Sequence, residues 1–155
     1  MHRILFVCHG NICRSTMAQC VFTHLVEQAG RADEFVIDSA ATSTEEIGNP
    51  PHHGTVRKLR QQGIAVVPHR ARQVRAAEYD DWDLIIGMDA ANMRNLARIF
   101  KTNAAAQADD CAKLVKLLTL TGSNADVADP WYTGNFDATY THVLAGCQAL
   151  LERCR

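Results

Sequence analysis

Near its start, the chain runs from a short apolar segment through a loop that contains glycine and cysteine and directly into a helical pattern. Residues 3–7 are short, apolar and partly β-branched, which predicts a buried strand. Residues 15–28 repeat apolar side chains along one helical face, and Gly30 predicts the end of that helix. A strand that passes through a tight loop into a helix is typical of α/β folds, and it constrains this chain more than any other feature.

Apolar runs and helical patterns alternate along the rest of the chain. Further strands are predicted at 35–38, 83–88 and 113–118, and further helices at 55–62, 90–100 and 136–155. Glycine, proline and polar residues predict loops at 42–54 and 119–135. The alternation predicts an α/β fold with a mainly parallel sheet and helices on both faces. Since 155 residues fit one domain and no linker interrupts them, we expect a single domain over 1–155.

Charge and cysteine content narrow the function classes. A net charge of -1 gives no general attraction to nucleic acid or to a membrane surface, so any anion recognition must be local. No segment approaches the roughly 20 consecutive apolar residues of a membrane span, and the amino terminus lacks a signal-peptide pattern. We therefore expect a cytoplasmic protein whose six cysteines are mostly thiols and bind no metal, because their spacing matches no zinc site.

The loop after the first predicted strand, Cys8-His9-Gly10-Asn11-Ile12-Cys13-Arg14-Ser15, has the composition of an anion site that holds a nucleophile. Ligands of open α/β sheets bind at the carboxyl ends of the strands, where this loop begins. Successive backbone N–H groups in a tight loop before a helix bind anions, and glycine and asparagine tolerate the backbone shape that such a loop needs. Arg14 would fork two N–H donors onto phosphate oxygens. The same positive field would stabilise the thiolate of Cys8, which then attacks the phosphorus of a bound monoester.

Other interpretations of this loop fit less well. A Walker-type phosphate loop ends in lysine followed by serine or threonine, and this loop has neither at its end. A dinucleotide-binding loop needs three spaced glycines, whereas Gly10 stands alone. A purely structural cysteine with a surface Arg14 leaves the order of strand, cysteine, five residues, arginine, serine and helix unexplained.

The segment from Val7 to Ala18 resembles the signature of the low-molecular-weight protein tyrosine phosphatase family. The likeness continues over nearly the whole chain in Asp38-Ser39-Ala40, Gly48-Asn49-Pro50-Pro51, His69-Arg70-Ala71-Arg72-Gln73, Met88-Asp89 and Asp129-Pro130-Trp131-Tyr132. It implies a three-layer sandwich with a four-stranded parallel sheet and the phosphatase loop between the first strand and the first helix. It also implies a two-step reaction without metal or cofactor. In that reaction, tyrosine-phosphorylated protein is hydrolysed through a cysteinyl-phosphate intermediate, and inorganic phosphate is the product.

A thiolate transfers phosphate well only when a neighbouring acid protonates the leaving oxygen. Asp129 is the candidate, because it lies in the predicted loop 119–135 and Pro130 fixes the next φ angle. Asp-Pro is by itself a common turn, so the assignment depends on the match of the Asp-Pro-Trp-Tyr segment to the family. Asp126 and Asp137 are the alternatives if the loop is placed differently.

The resemblance also implies that the substrate is bound by the loop residues His9, Gly10, Asn11, Ile12, Cys13 and Ser15 and by a rim around them. Trp131 and Tyr132 would form the wall of a slot that stacks a phenyl ring, although the family more often has tyrosine at the first of these positions. Facing them, the family often has an aromatic residue near Glu45. The carboxylates of Glu45 and Glu46 stack poorly and repel acidic groups. We therefore predict that phosphopeptides with basic flanking residues are preferred over acidic ones.

Further roles near the nucleophile follow from the same resemblance. Asn11 and His69 resemble family residues that brace the loop by hydrogen bonds. Ser15 stands at a helix start, where it would be an N-cap, and the resemblance implies that its hydroxyl also donates to the sulfur of Cys8. Cys13 either packs as a small apolar residue or closes a reversible disulfide with Cys8.

Two positions of the first helix depart from the family pattern. Thr16 replaces a usual proline, which predicts a slightly less rigid loop. Gln19 replaces a usual glutamate and is expected to matter little. We expect neither change to alter the chemistry.

Three other functions are compatible with the same loop. A phosphoarginine phosphatase has a similar loop, but such relatives carry threonine where this chain has Ile12, whose bulk favours the planar phenyl ester. An arsenate reductase needs a downstream cysteine relay to the nucleophile, and no cysteine lies between Cys20 and Cys111. A non-catalytic phosphoprotein-binding module would not need an intact nucleophile, arginine and acid together.

Overall fold

Side chains of the first strand alternate between two apolar clusters and thereby set the architecture. The computed structural model describes residues 1–155, and its first strand, β1, spans His2–Cys8. Ile4 and Phe6 join one buried cluster, whereas Leu5 and Val7 join another. Because neighbouring residues of a strand face opposite sides, β1 is apolar on both sides and belongs at the centre of a sheet that is covered on each face.

Three further strands complete one sheet, namely β2 (Phe35–Ala41), β3 (Leu84–Gly87) and β4 (Leu114–Lys116). The order across the sheet is β2-β1-β3-β4, and every neighbouring pair is parallel. β1 pairs with β2 along its whole length. The expectation of a four-stranded parallel sheet is therefore confirmed.

Six α-helices follow one another along the chain, namely α1 (Arg14–Gln28), α2 (His53–Gln61), α3 (Ala90–Ile99), α4 (Ala104–Ala108), α5 (Pro130–Thr133) and α6 (Phe136–Arg153). Short 3-10 turns lie at Ala32–Glu34, Ala76–Asp81, Phe100–Thr102 and Leu117–Thr121. α1 and α6 pack together on one face of the sheet with α2 beside them, and α3 packs on the other face. The expected three layers are thus confirmed. None of the helices is long and apolar enough to cross a membrane.

The ends of most elements differ from the sequence-based expectation by one or two residues, and three larger differences stand out. β2 continues beyond the expected end at 38 to Ala41, because residues with small side chains, which carry little strand signal, still pair with β1. α4 has the sequence AAAQA, which favours a helix by composition but has no amphipathic pattern from which it could be predicted. The expected loop 119–135 contains α5 and the end of a 3-10 turn.

A crevice lies where the chain changes direction across the sheet. From β1 the chain moves outward to β2 and then returns past β1 to β3, so the loops that follow β1 and β3 diverge. Such a switch point is the common ligand site of open α/β sheets. The loop after β1 begins at Cys8, and Asp89 follows β3 at the same edge.

Candidate active site

A cavity opens at this edge of the sheet, over the loop between β1 and α1. Residues from three segments line it, namely Cys8, His9, Gly10, Ile12, Cys13, Arg14, Glu45, Glu46, Asp129, Trp131 and Tyr132. The fold therefore brings the candidate nucleophile, arginine and acid into one cavity, although the acid lies near the other end of the chain.

The backbone carbonyls of the loop are bonded to partners outside it. Cys8 O accepts from Thr42 N at 3.0 Å, His9 O from Ser43 N at 3.1 Å, Ile12 O from His52 N at 2.7 Å, and Cys13 O from Thr55 Oγ1 at 3.2 Å. Because these carbonyls are engaged elsewhere, the N–H groups of the loop set the field in the cavity. No side chain caps the N-terminus of α1, so the amides of its first turn add to this positive field.

Asn11 takes the left-handed backbone conformation within the loop. Its φ is 61°, whereas Gly10 has no positive φ, so the asparagine makes the turn. Gly10 instead leaves room for the neighbouring segment, because a Cβ there would lie 3.3 Å from Glu46 Cγ. The sequence suggests that Gly10 and Asn11 both take an unusual backbone conformation. In the structure only Asn11 does so, whereas Gly10 is needed for its lack of a side chain.

The side chain of Asn11 is fully buried behind the loop and braces it. Nδ2 donates to Ser15 Oγ at 2.8 Å and to Ser39 Oγ at 2.9 Å. Oδ1 accepts from His69 Nε2 at 2.7 Å and from the backbone N–H of Arg72 at 3.2 Å. Since an amide oxygen only accepts, His69 carries a proton on Nε2. Burial lowers the pKa of His69, which keeps the imidazole neutral in this network.

The sulfur of Cys8 has two polar neighbours at the base of the cavity. The backbone N–H of Asn11 donates to Sγ at 3.3 Å, and Ser15 Oγ lies 3.1 Å from Sγ. Because Ser15 Oγ already accepts a hydrogen bond from Asn11 Nδ2, its own proton is free to point at the sulfur. Both contacts stabilise negative charge on Cys8.

The guanidinium of Arg14 is buried and held by acceptors from distant parts of the chain. Nη1 donates to Asp89 Oδ2 at 2.8 Å and to the carbonyl of Val127 at 3.2 Å, while Nη2 lies 3.3 Å from Asp129 Oδ2. These contacts occupy Nη1 and leave the edge formed by Nε–H and the second Nη2–H. That edge has the geometry for a bidentate contact with two phosphate oxygens.

Asp89 fixes the orientation of Arg14 from the neighbouring strand. It follows β3 and caps α3, since its Oδ1 accepts from the backbone N–H of Asn92 at 2.7 Å. Burial alone would raise the pKa of Asp89, but the hydrogen bonds from Asn92 and Arg14 outweigh it and lower the pKa. Burial likewise opposes the charge of Arg14, yet the nearby Cys8 and Asp89 hold its pKa above its usual value. Asp89 is therefore a fixed anion and does not serve as an acid.

Asp129 lies at the cavity beside Arg14 and begins α5. Its Oδ1 accepts from the backbone N–H of Trp131 at 3.1 Å. Pro130 occupies the first helical position, where its missing N–H costs nothing. The carboxyl group is thus held by its own short helix and directed toward the guanidinium.

The two alternative acids lie elsewhere. Asp126 pairs with Lys116 at 2.9 Å and Asp137 pairs with Lys58 at 2.7 Å. Neither of these carboxylates lines the cavity. Among the three aspartates considered from the sequence, only Asp129 reaches the site.

The rim of the cavity has an acidic part and an aromatic part. Glu45 Oε2 lies 3.0 Å from His9 Nε2, and Glu46 lines the cavity beside it. Trp131 is 61% exposed and Tyr132 is 85% exposed, so most of each side chain is accessible to a ligand. The positions expected to differ from the family therefore do lie at the entrance.

Cys13 lines the same cavity as a free thiol, as all six cysteines are free. Burial raises the pKa of Cys13 to about 12, and the charges of Cys8 and Asp129 add to the effect. A thiol with so high a pKa does not compete with Cys8 as a nucleophile.

The side chains of Asn11 and Ser15 do not line the cavity, although both were predicted to bind substrate. Both are fully buried, and their contacts go to Cys8 and to the network behind the loop. Ser15 is not the N-cap of α1 either, because the N-cap is Cys13 and Ser15 lies inside the helix. The remaining predicted binding residues line the cavity, namely His9, Gly10, Ile12, Cys13, Glu45, Trp131 and Tyr132.

Sequence reasoning misses two parts of the site. Asp89 is given no role from the sequence, although it directly follows a predicted strand and belongs to the Met88-Asp89 segment that resembles the family. Ser39 accepts from Asn11 and donates to Gln19 Oε1 at 2.5 Å, so the buried Gln19 belongs to the bracing network. The expectation that glutamine in place of glutamate matters little stays a prediction, because either side chain offers an oxygen that accepts from Ser39.

The chain matches the family model described as low molecular weight phosphotyrosine protein phosphatase over residues 3–155. The low molecular weight protein-tyrosine-phosphatase YfkJ of Bacillus subtilis is 40% identical over 153 residues, which is 97% of this chain and 94% of that protein. The low molecular weight phosphotyrosine protein phosphatase of Mus musculus is 39% identical over 154 residues, again 97% of this chain and 94% of its relative.

Solved structures share the fold along the whole length. The crystal structure of YfkJ from Bacillus subtilis matches with a TM-score of 0.90 at 39% identity, covering 99% of this chain and 94% of that chain. The crystal structure of a drosophila arginine phosphatase matches with a TM-score of 0.88 at 27% identity, covering 98% of this chain and 97% of that chain.

Proposed function

The chain belongs to the low molecular weight phosphotyrosine protein phosphatase family, and we propose that Cys8, Arg14 and Asp129 carry out its hydrolysis of phosphotyrosine. Membership makes tyrosine-phosphorylated protein the substrate class and inorganic phosphate the product. The observation that supports these roles is the meeting of all three side chains in one cavity, over a loop whose carbonyls are bonded outside it.

In the first step, the thiolate of Cys8 attacks the phosphorus of the bound monoester. The N–H groups of the loop and the free edge of Arg14 bind the phosphoryl oxygens as charge shifts among them. Asp129 in its acid form gives its proton to the tyrosyl oxygen while the P–O bond breaks. The result is a free tyrosine side chain and a phosphoryl group bonded to the sulfur.

In the second step, Asp129 is a carboxylate and takes a proton from the water that attacks the phosphorus. The P–S bond breaks, inorganic phosphate leaves and Cys8 returns to the thiolate. The Ser15 hydroxyl, 3.1 Å from the sulfur, stabilises that departing charge. Arg14, 3.3 Å from Asp129, keeps the carboxyl group beside the phosphoryl group through both steps.

The proposal extends to compartment, domain and substrate flanks. A thiolate nucleophile must stay reduced, and six free cysteines agree with the reducing cytoplasm. One sheet with a core on each face supports a single catalytic domain over residues 1–155. The carboxylates of Glu45 and Glu46 at the rim favour phosphotyrosine with basic neighbours.

Turnover of two aryl phosphates by the full chain under reducing conditions tests these roles. Cys8→Ser should lower kcat by about 10³-fold or more while inorganic phosphate still binds, because the loop and Arg14 are unchanged. Asp129→Ala should lower kcat/KM for phenyl phosphate by about 10²-fold or more. The loss on p-nitrophenyl phosphate should be much smaller, because that leaving group needs less protonation.

Asp126→Ala is the matched control, since it removes a carboxylate that lies outside the cavity, and it should leave both rates unchanged. Full turnover in Cys8→Ser would contradict the nucleophile, and equal losses on both esters would contradict Asp129 as the acid. A phosphoarginine peptide in the same assay tests the alternative substrate. A higher kcat/KM on that peptide than on a phosphotyrosine peptide would replace the proposed substrate.

A further inference from the structure

The segment that carries the acid is tied to the site at Val127. The N–H of Val127 donates to the carbonyl of Met88 at 2.9 Å, at the end of β3. Its carbonyl accepts from Arg14 Nη1 at 3.2 Å. These contacts join the segment to the sheet edge and to the phosphate loop, but they end two residues before the carboxyl group.

The backbone of Ala128, the residue directly before Asp129, is held by two side chains of α6. Its N–H donates to His142 Nδ1 at 3.1 Å. Its carbonyl accepts from Thr139 Oγ1 at 2.8 Å. Thr139 and His142 lie three positions apart in the helix, so they project from the same face toward the segment.

We propose that Thr139 and His142 are positioning residues that clamp Ala128 and thereby hold the carboxyl group of Asp129 where it can transfer a proton. This inference rests on the proposed role of Asp129. The carboxyl group has contacts of its own only to Trp131 N, at 3.1 Å, and to Arg14 Nη2, at 3.3 Å. A shift of the backbone at Ala128 therefore moves it, and a displacement of about 1 Å costs up to about 10²-fold in rate.

The chemistry of the two clamp residues defines the variants. His142 accepts at Nδ1, so its proton lies on Nε2. Asparagine places an acceptor oxygen near the position of Nδ1, whereas leucine fills the space without one. Thr139 is fully buried, and valine keeps its shape while removing the hydroxyl that donates to Ala128.

Kinetics on the same two esters test the clamp. Thr139→Val and His142→Leu should each lower kcat/KM for phenyl phosphate by about 10-fold to 10²-fold. The value for p-nitrophenyl phosphate should fall by less than about 3-fold, because its leaving group depends little on the acid. His142→Asn should recover most of the activity on phenyl phosphate. Inhibition by inorganic phosphate should stay within about 2-fold of the original protein, since the clamp does not touch the loop.

Thr141→Val is the matched control on the same helix. Thr141 Oγ1 donates to the carbonyl of Asp137 at 3.0 Å and makes no contact with the segment before Asp129. Thr139 makes the equivalent contact to the carbonyl of Asn135 at 3.3 Å, so the comparison isolates the bond to Ala128. Thr141→Val should show the same ratio of kcat/KM for phenyl phosphate to kcat/KM for p-nitrophenyl phosphate as the original protein.

Three outcomes separate the inference from the function on which it rests. Equal losses on both esters in the clamp variants would overturn the inference, because a general loss of structure does not distinguish leaving groups. The clamp variants could instead keep full activity on phenyl phosphate while Asp129→Ala loses far more activity on phenyl phosphate than on p-nitrophenyl phosphate. That result would also overturn the inference, but it would leave the proposed role of Asp129 intact. Absence of that dependence in Asp129→Ala itself would overturn both.

Discussion

At the scale of single residues, Asn11 links the shape of the loop Cys8–Ser15 to the sulfur of Cys8, the proposed nucleophile. The left-handed turn brings the backbone N–H of Asn11 to 3.3 Å from the sulfur of Cys8. The buried amide of the same residue donates to Ser15, whose hydroxyl faces that sulfur at 3.1 Å. Backbone conformation and charge stabilisation thus depend on one side chain, which explains why a residue that tolerates positive φ and also carries an amide stands here.

Two single residues, Glu45 and Glu46, give the rim of the cavity its negative charge. We expect kcat/KM for phosphotyrosine peptides with flanking lysines to exceed that for peptides with flanking aspartates by about 5-fold to 10-fold at low salt. One exposed charge contact contributes up to about 1 kcal/mol, which is about 5-fold, and two carboxylates act here. The difference should shrink as salt is added, because Glu45 is exposed to solvent and Glu46 is only half-buried.

Replacing both rim carboxylates, Glu45→Gln with Glu46→Gln, should remove most of this preference. The matched control is Glu27→Gln with Glu152→Gln, which removes the same charge from the ends of α1 and α6. The control pair should keep the preference. Equal kcat/KM for the two kinds of peptide in the original protein would show that the rim charge does not select substrates.

At the scale of elements, α6 packs against the core along most of its length and contacts the segment before Asp129 near its start. Phe136 at its start packs on Gly54 of α2, where a Cβ would lie 2.3 Å from the ring. The next turn clamps the segment before Asp129. Farther along, Gly146 lets the helix approach Leu117, whose Cγ would lie 2.4 Å from an added Cβ. The helix is therefore both a core element and a support for Asp129, the proposed acid.

We expect Gly146→Ala to destabilise the fold, although alanine ordinarily favours a helix over glycine by about 1 kcal/mol. Leu117 is fully buried, so the added methyl group overpacks the contact at a cost of about 1–3 kcal/mol. The expected net result is a lower free energy of unfolding by about 1 kcal/mol, measured by urea denaturation.

A double-mutant cycle identifies the cause of that loss. Leu117→Ala alone should cost about 2–5 kcal/mol, because it opens a cavity in the core. Together with Gly146→Ala the cost should be smaller than the sum of the two single changes, since the new methyl group occupies part of the cavity. A rise in stability for Gly146→Ala alone would mean that the helix contact relaxes without strain.

At the scale of the whole molecule, one polar network joins the sheet edge to the phosphate loop. Arg72 Nη2 donates to Asp38 at 3.0 Å and Nη1 donates to Glu78 at 2.9 Å, while the backbone N–H of Arg72 holds Asn11. His69 reaches the same asparagine from the same segment. The loop therefore keeps its shape only while β2 and the segment 69–78 are folded against it.

The burial of His69 makes the stability of the whole molecule depend on pH. Its pKa is lowered in the folded state from an ordinary value of about 6.5, so the unfolded chain binds the proton more readily. The stability is therefore full above about pH 6.5 and falls as the pH decreases from there toward the folded pKa. The slope for this one proton is at most about 1.4 kcal/mol per pH unit. Urea denaturation over about pH 5 to 8 measures it.

His69→Gln should reduce this slope, because glutamine offers an amide donor near Nε2 and does not titrate. The slope that remains includes the contribution of His52, whose pKa is also lowered by burial. His24→Asn on α1 is the matched control and should keep the slope. The pKa of Asp89 is also lowered, but its contribution is present above about pH 4 and is lost only below that value. An unchanged slope in His69→Gln would exclude His69 as the source.

Features that lie along a continuous stretch were determined by the sequence alone. Alternating apolar and helical patterns determined the layered α/β fold, because burial on each side of a strand or helix leaves a local period. The loop Cys8–Ser15 carries strand end, left-handed turn, arginine and helix start in consecutive residues. Asp129 is different, because an Asp-Pro pair forms turns in many settings and only the family motif singled it out.

Only the tertiary structure decided which distant groups meet. Asn11 bonds to Ser39 across 28 positions of the chain, and Arg14 bonds to Val127 across 113. The contacts of Asp89 with Arg14 and of Thr139 and His142 with Ala128 are of the same kind. No local sequence pattern predicts which residue each of these side chains contacts. The physical reason is that such contacts depend on the strand order β2-β1-β3-β4 and on how the connections between these strands pack on the sheet. Local sequence controls burial and backbone shape, whereas the partner of a buried polar group is set by the packing of the whole chain.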